Sequence, residues 1–209
     1  MKIISKIYLL LILSLGSEAV MSSEVPDWGG LEVFKYKIDL TKVGPGVFSF
    51  LDEEYLKKNK EVIVLTFMSS GYVEQHGFSG ESIIGVMPVS AERLDSESFT
   101  QNSAFRVLVQ SLAIRADEPG LQDFIDRDKP EMVAAIDRRT VDVMSEVPSE
   151  DIIGVYKITG KKITNFEPNK HYKFITGSGI AKLTPGIVEE LKQIYGSEAG
   201  FNKGKHDDK

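Results

Sequence analysis

Phe34, Tyr36, Ile38 and Leu40 alternate with Lys35, Lys37 and Asp39, and a period of two in aromatic and branched residues predicts a half-buried strand. Gly44-Pro45-Gly46 breaks it. Val47, Phe50, Leu51 and Tyr55 then suit a short helix over residues 47–58, although Phe48 and Ser49 fit extended chain as well. Residues 61–67 are a compact Val/Ile/Leu run of strand length, and the Ser/Gly-rich segment 69–80 predicts a loop. Residues 83–89 read as another strand, with Pro88 at an edge or an end. Ser98 and Gln101 have the spacing of a capping box ahead of the helical stripe Phe105, Leu108, Val109 and Leu112.

Pro119-Gly120 ends that stripe, and Leu121, Phe124 and Ile125 give a short amphipathic turn. From Pro130 the spacing of Val133, Ile136, Thr140, Val143 and Val147 predicts a further helix, closed by Pro148. Residues 152–159 and 162–166 flank Gly160-Lys161 as a hairpin would, and residues 171–176 add a strand. The last helix has Thr184 as cap, Pro185 in the first turn, an apolar stripe of Ile187, Val188, Leu191, Ile194 and Tyr195, and Gly196 as stop. Strands and helices are interleaved without one-to-one alternation. The expected class is α+β, a mostly antiparallel sheet with helices packed on one face.

One pattern recurs. Glu81-Ser82-Ile83-Ile84-Gly85-Val86 is echoed by Glu150-Asp151-Ile152-Ile153-Gly154-Val155, and after a two-residue length difference Phe99-x-x-Asn102-x-x-Phe105 is echoed by Phe166-x-x-Asn169-x-x-Tyr172. Each copy reads as a strand and turn followed by an aromatic that docks on the sheet, with the Asn bonding nearby backbone. Similar strand-and-turn grammar written twice is the plainer reading. A true duplication predicts two related sub-units, residues 31–115 and 130–196, within one domain over 31–196. Phe99, Asn102, Phe166 and Asn169 are then repeated loop positions and candidates for binding.

The N-terminus changes the compartment. Lys2 and Lys6, an apolar run over residues 7–15 broken by Ser14, and the small residues Gly16, Ser17 and Ala19 have the order of a secretory signal, with cleavage expected after Ala19. The run is too short to span a bilayer, so no stable membrane anchor is expected after cleavage. Met21 as the true start is the rival, and would make the protein cytosolic. Residues 20–30 then form a linker, and 197–209 a polar, flexible tail. Loss of Lys2, Lys6 and Glu18 moves the formal net charge from −6 to −7, and this acidic balance without a basic block argues against a nucleic-acid partner. With no cysteine, disulfides and thiolate chemistry are excluded, and the core must hold the fold.

Candidate chemistry is thin. Gly77-Phe78-Ser79-Gly80-Glu81 approaches a nucleophile elbow, but the second Gly is one place early and a strand follows. His76 with Ser79 or Glu74 is the weak catalytic candidate, of a small hydrolase. Glu74 and His76 would share one face of extended chain and give two metal ligands, but no second cluster completes a site. Asp126-x-Asp128 opens like a calcium loop and fails at Pro130 and Glu131. Gly160-Lys161 and Gly177-Ser178-Gly179 fail the phosphate-loop spacings, and Asp52, Glu53 and Glu54 suit the exposed first turn of a helix. No metal and no cofactor is expected. What remains is an exported, non-catalytic binding module acting through a protein partner, with aromatics such as Trp28, Phe48, Phe78 and Phe201 in loops where recognition residues collect. A small-ligand carrier with an apolar cavity beneath the sheet is the intermediate alternative.

Overall fold

The computed structural model describes residues 31–195 apart from 45, 117, 144 and 145. The expected signal segment, the expected linker with Met21 and Trp28, Pro45, Gly196 and residues 197–209 lie outside the described residues. The fold is α+β. Strand β1 (Phe34–Asp39), helix α1 (Glu53–Lys58), β2 (Glu61–Thr66), α2 (Ser70–His76), β3 (Ile83–Pro88) and β4 (Thr100–Gln101) lead into α3 (Ser103–Ala113) and α4 (Leu121–Asp128). There follow β5 (Met132–Ile136), β6 (Ile152–Thr159), β7 (Lys162–Pro168), the two-residue strands β8 (Ile175–Thr176) and β9 (Gly179–Ile180), and α5 (Pro185–Tyr195). The strands form two antiparallel sheets in the orders β1-β2-β3-β4 and β5-β6-β7, with β8-β9 as a separate ribbon. Among the described residues no helix is long and apolar enough to cross a membrane.

The main core joins the two sheets through helices. Phe105, Val109 and Leu112 of α3 meet Ile187, Val188 and Leu191 of α5, and both helices pack with Leu65 and Ile84 of the first sheet and with Ile153, Tyr156 and Phe166 of the second. The first sheet has a second core on its other face, where Tyr36, Ile38, Val62, Val64 and Val86 are buried under Phe48 and Leu51. Buried polar contacts weld the halves. Gln110 donates to the carbonyls of Ile153 and Asn169 (2.8 and 2.7 Å), Gln101 bonds the Tyr172 carbonyl and the Phe174 amide, and Tyr195 donates to the Glu81 carbonyl.

Several sequence expectations are corrected. The segment expected as a helix from Pro130 is strand β5. Its side chains alternate between buried Ala135 and exposed Met132 and Ala134, and Val143, on the expected stripe, is 52% exposed. β6 offers a full row of backbone partners, and that pairing overrides the helix preference of Ala134-Ala135. The expected loop over 69–80 contains α2, capped by Ser69, whose Oγ accepts the Tyr72 N–H, and closed by Gly77 at φ 72°. The cap of α3 is Asn102, not Ser98. Ser98 instead serves the turn around Asp95, whose carboxylate accepts the N–H groups of Glu97 and Ser98. Helix α1 is shorter than expected and starts after Asp52, which caps Tyr55 N–H at 2.7 Å. Of residues 171–176 only Ile175–Thr176 is strand. In α5 Ile187, Val188, Leu191 and Tyr195 are buried but Ile194 is 38% exposed, because Tyr195 takes the inward place at the end of the stripe.

The internal echo is a structural duplication. In both copies a 3-10 turn (Gly80–Ser82, Ser149–Asp151) enters the Ile-Ile-Gly-Val strand, and the pairing shifts at the same place. Leu65 faces Gly85 and Thr66 faces Ile83, just as Ala135 faces Gly154 and Ile136 faces Ile152, so Ile84 and Ile153 are the bulged residues. Glycine follows the bulge because an aromatic ring lies over it: a Cβ on Gly85 would stand 2.2 Å from Phe99 Cζ, and one on Gly154 2.3 Å from Phe166 Cζ. The copies diverge after the strand. Gly160 and Lys161, at φ 57° and 69°, close a tight hairpin in the second copy, where the first has a longer loop over 89–99.

Candidate partner-binding face

The same residue closes each copy. Asn102 Nδ2 donates to the carbonyls of Gly80 (2.6 Å) and Ile83 (2.7 Å) while Oδ1 accepts the Ala104 N–H (3.0 Å). Asn169 Nδ2 donates to the carbonyls of Ser149 (2.6 Å) and Ile152 (2.7 Å) while Oδ1 accepts the His171 N–H (3.0 Å). The backbone N–H groups of Asn102 and Asn169 also bond equivalent carbonyls, those of Ile84 and Ile153. The structure thus places Phe99, Asn102, Phe166 and Asn169 as internal fasteners of each copy, their polar groups engaged by the chain's own backbone.

Because the copies match so closely, their differences define the surface. Counting through the paired registers, Val62, Val64 and Val86 of the first copy correspond to Met132, Ala134 and Val155 of the second. The three valines are all 0% exposed, covered by the layer that carries Phe48 and Leu51. In the second copy Met132 is 56% exposed, Ala134 is exposed and Val155 half-buried, with Lys157, Asn165 and Glu167 completing the same face. Tyr55 of α1 packs on the covering side of the first sheet, whereas Leu121 of α4 packs against the main core, and among the described residues no helix packs on the outer face of the second.

The edges differ too. β1 pairs with the free side of β2, but the counterpart of β2, β5, ends its sheet, and no strand is paired on its outer side among the described residues. In the first copy Lys37 of β1 forms an ion pair with Glu61 at 3.0 Å. The residue in the place of Glu61 is Glu131, exposed, and no ion pair engages it among the described residues. On the open face Lys157 Nζ lies 3.0 Å from Met132 Sδ and 3.3 Å from Glu167.

The weak catalytic candidates are not assembled. Glu74 and His76 lie on helix α2, two residues apart and hence on different faces, and both are exposed. The His76 ring lies against that of Tyr72, tilted by 41° with centroids 4.6 Å apart, and the Ser79 hydroxyl accepts the Ser82 N–H at 3.2 Å as the cap of a 3-10 turn. No hydrogen bond joins His76 to Ser79 or Glu74 among the described residues. Asp126 is paired with Lys161 and Asp128 with Arg127, and no group of three or more acidic or histidine side chains converges on a metal position among the described residues. Gly177-Ser178 turns the β8-β9 ribbon.

Sequence reasoning missed a buried charge cluster. Arg139, with a side chain 1% exposed, donates to the carbonyls of Phe174, Gly179, Glu150 and Lys173 and lies 2.8 Å from the Asp151 carboxylate and 3.7 Å from that of Asp137. The Nε approach to Asp151 Oδ1 is a charge contact off the hydrogen-bond axis. Asp137 accepts from Tyr172 hydroxyl (2.8 Å) and from the N–H groups of Arg139 and Lys182, and Thr140 donates to Asp151. Burial first, then the Asp137 carboxylate, hold the Tyr172 phenol protonated well above its ordinary range. Removing one partner from such a buried set costs about 3–5 kcal/mol. With the side chains of Asp137, Arg139 and Asp151 at most 1% exposed, the cluster pins the 137–140 turn to the 172–182 segment. The available signal was Asp137-x-Arg139-Thr140, of which the helical reading used only Thr140, as a stripe position.

A cleft of about 260 Å³ lies at the seam of the copies, lined by Ser96, Phe99, Gln101, Ser103, Arg106, Lys173 and Ile175. Arg106 donates from one terminal nitrogen to the Lys170 carbonyl, and Lys173 is paired with Glu150, so both cations are partly engaged. Compared with protein-family models, with curated proteins and with solved structures, the chain matches none.

Proposed function

We propose that this chain is an exported, non-catalytic binding module that acts through a protein partner, docked on the outer face of the β5-β6-β7 sheet. One observation carries the reading: positions buried under a covering layer in the first copy are open in the second. A face of Met132, Ala134 and Val155 is what remains when that layer is missing, and apolar side chains beside an unpaired strand edge are a recognised docking arrangement. The Lys2 to Ala19 pattern supports export.

The test is site-specific photo-crosslinking in the producing cell, with the reactive group at position 132 and, as control, at Glu53 on the exposed first turn of α1. A discrete adduct from position 132 and none from 53 is the expected result. Equal labelling from both positions, or an ester- or peptide-hydrolysing activity that His76→Ala abolishes, would overturn it.

A further inference from the structure

The first copy contains the occupant that the second lacks. β1 adds to the free edge of β2 in antiparallel register, with Tyr36 opposite Val64 and Ile38 opposite Val62, so that its alternate apolar side chains continue the covered face. Lys37, pointing the other way, reaches Glu61. β5 stands against β6 as β2 stands against β3, with the same acidic residue before its first apolar position, and among the described residues no strand pairs with its outer side. Within Met132–Ile136 there is no charge and no proline, the devices that ordinarily keep an edge from pairing.

We infer that β5 is a strand-addition site, and that it takes an extended segment of a partner protein running antiparallel to it. The segment carries aromatic or branched residues at alternate positions, which lie beside Met132 and Ala134, and a lysine placed to pair with Glu131 as Lys37 pairs with Glu61. Backbone bonds to the edge hold it, and the alternation and the charge select it. The inference rests on the partner-binding reading and names the class of partner.

The test uses the full-length protein and a synthetic peptide of residues 33–40, Val-Phe-Lys-Tyr-Lys-Ile-Asp-Leu, as the probe, since this chain shows that segment on an equivalent edge. Amide chemical-shift changes on titration are expected to centre on residues 131–136. Glu131→Lys should weaken binding about fivefold, the scale of losing an exposed ion pair and gaining a repulsion. A peptide with Glu at the place of Lys37 should restore it, and methylating alternate peptide nitrogens on the pairing side should abolish it. No binding at millimolar peptide, binding indifferent to Glu131→Lys, or shifts centred elsewhere would overturn the inference. So would sedimentation showing a dimer joined through β5, or β5 already covered in the free monomer by a terminal segment of this chain. A crosslink at position 132 without peptide binding at β5 would sink strand addition while leaving a partner on the face. Loss of both would sink both.

Discussion

Replacing Asn102 by alanine removes three hydrogen bonds at a residue 1% exposed. The Ala104 N–H loses its cap, about 1 kcal/mol. The carbonyls of Gly80 and Ile83 lose a donor, about 1 kcal/mol each, and more if water cannot reach them. The expected loss is about 3 kcal/mol. Asn169→Ala removes three bonds of the same lengths, but its site is half-buried and no helix starts there, so water replaces part of what is lost. About 1–1.5 kcal/mol is expected. Urea unfolding of both variants, with unchanged dependence on denaturant, measures the two losses. A loss under about 0.5 kcal/mol for Asn102→Ala, the scale of surface substitutions, or a larger loss for Asn169→Ala, would refute the account of how the copies are fastened.

Other expectations concern packing and ionisation. Gly154→Ala should cost about 1–3 kcal/mol or more in unfolding experiments, because the Phe166 ring and the Glu167 carbonyl, 2.7 Å from the new Cβ, must both move. Leu191→Ala should cost about 2–5 kcal/mol whereas Ile194→Ala, at a 38% exposed position, should cost under about 1 kcal/mol; equal losses would contradict the placement of the α5 stripe. Burial, then the charges of Glu74 and Glu32, push the Tyr36 phenol up to about 12, and burial, then Glu118, push that of Tyr156 up to about 12. These raised values favour the neutral phenols of the folded state, so the stability they give is fully present below the unfolded value near pH 10 and is lost as pH rises towards 12. Alkaline unfolding followed by tyrosinate absorbance should show that loss, and Tyr36→Phe should reduce its slope.

What could be read from the sequence were features with local causes. The duplication was visible in Ile-Ile-Gly-Val and in the spaced Phe, Asn and Phe/Tyr because a ring over a glycine and an asparagine closing a turn each demand one residue type. The closing helix was visible because its proline, cap and stripe agree. β5 was misread because Val133, Ile136, Thr140 and Val143 have helical spacing by coincidence, while its conformation is set by β6, some twenty residues later in the chain. The catalytic pairing of His76 and Ser79 looked close in sequence, but α2 turns their neighbourhood outward. The open face could not be read at all. Met132 and Ala134 resemble Val62 and Val64 in character, and only the layer over one sheet and not the other separates them.

The central claim, that the second copy keeps an open edge where the first is closed by its own strand, is tested most directly by amide hydrogen exchange on the free protein. In β2, flanked by β1 and β3, all amides should be protected. In β5 alternate amides, those facing away from β6, should exchange orders of magnitude faster than their neighbours. Uniform protection along Met132–Ile136 in the free monomer would mean that the edge is already covered, and would contradict the account.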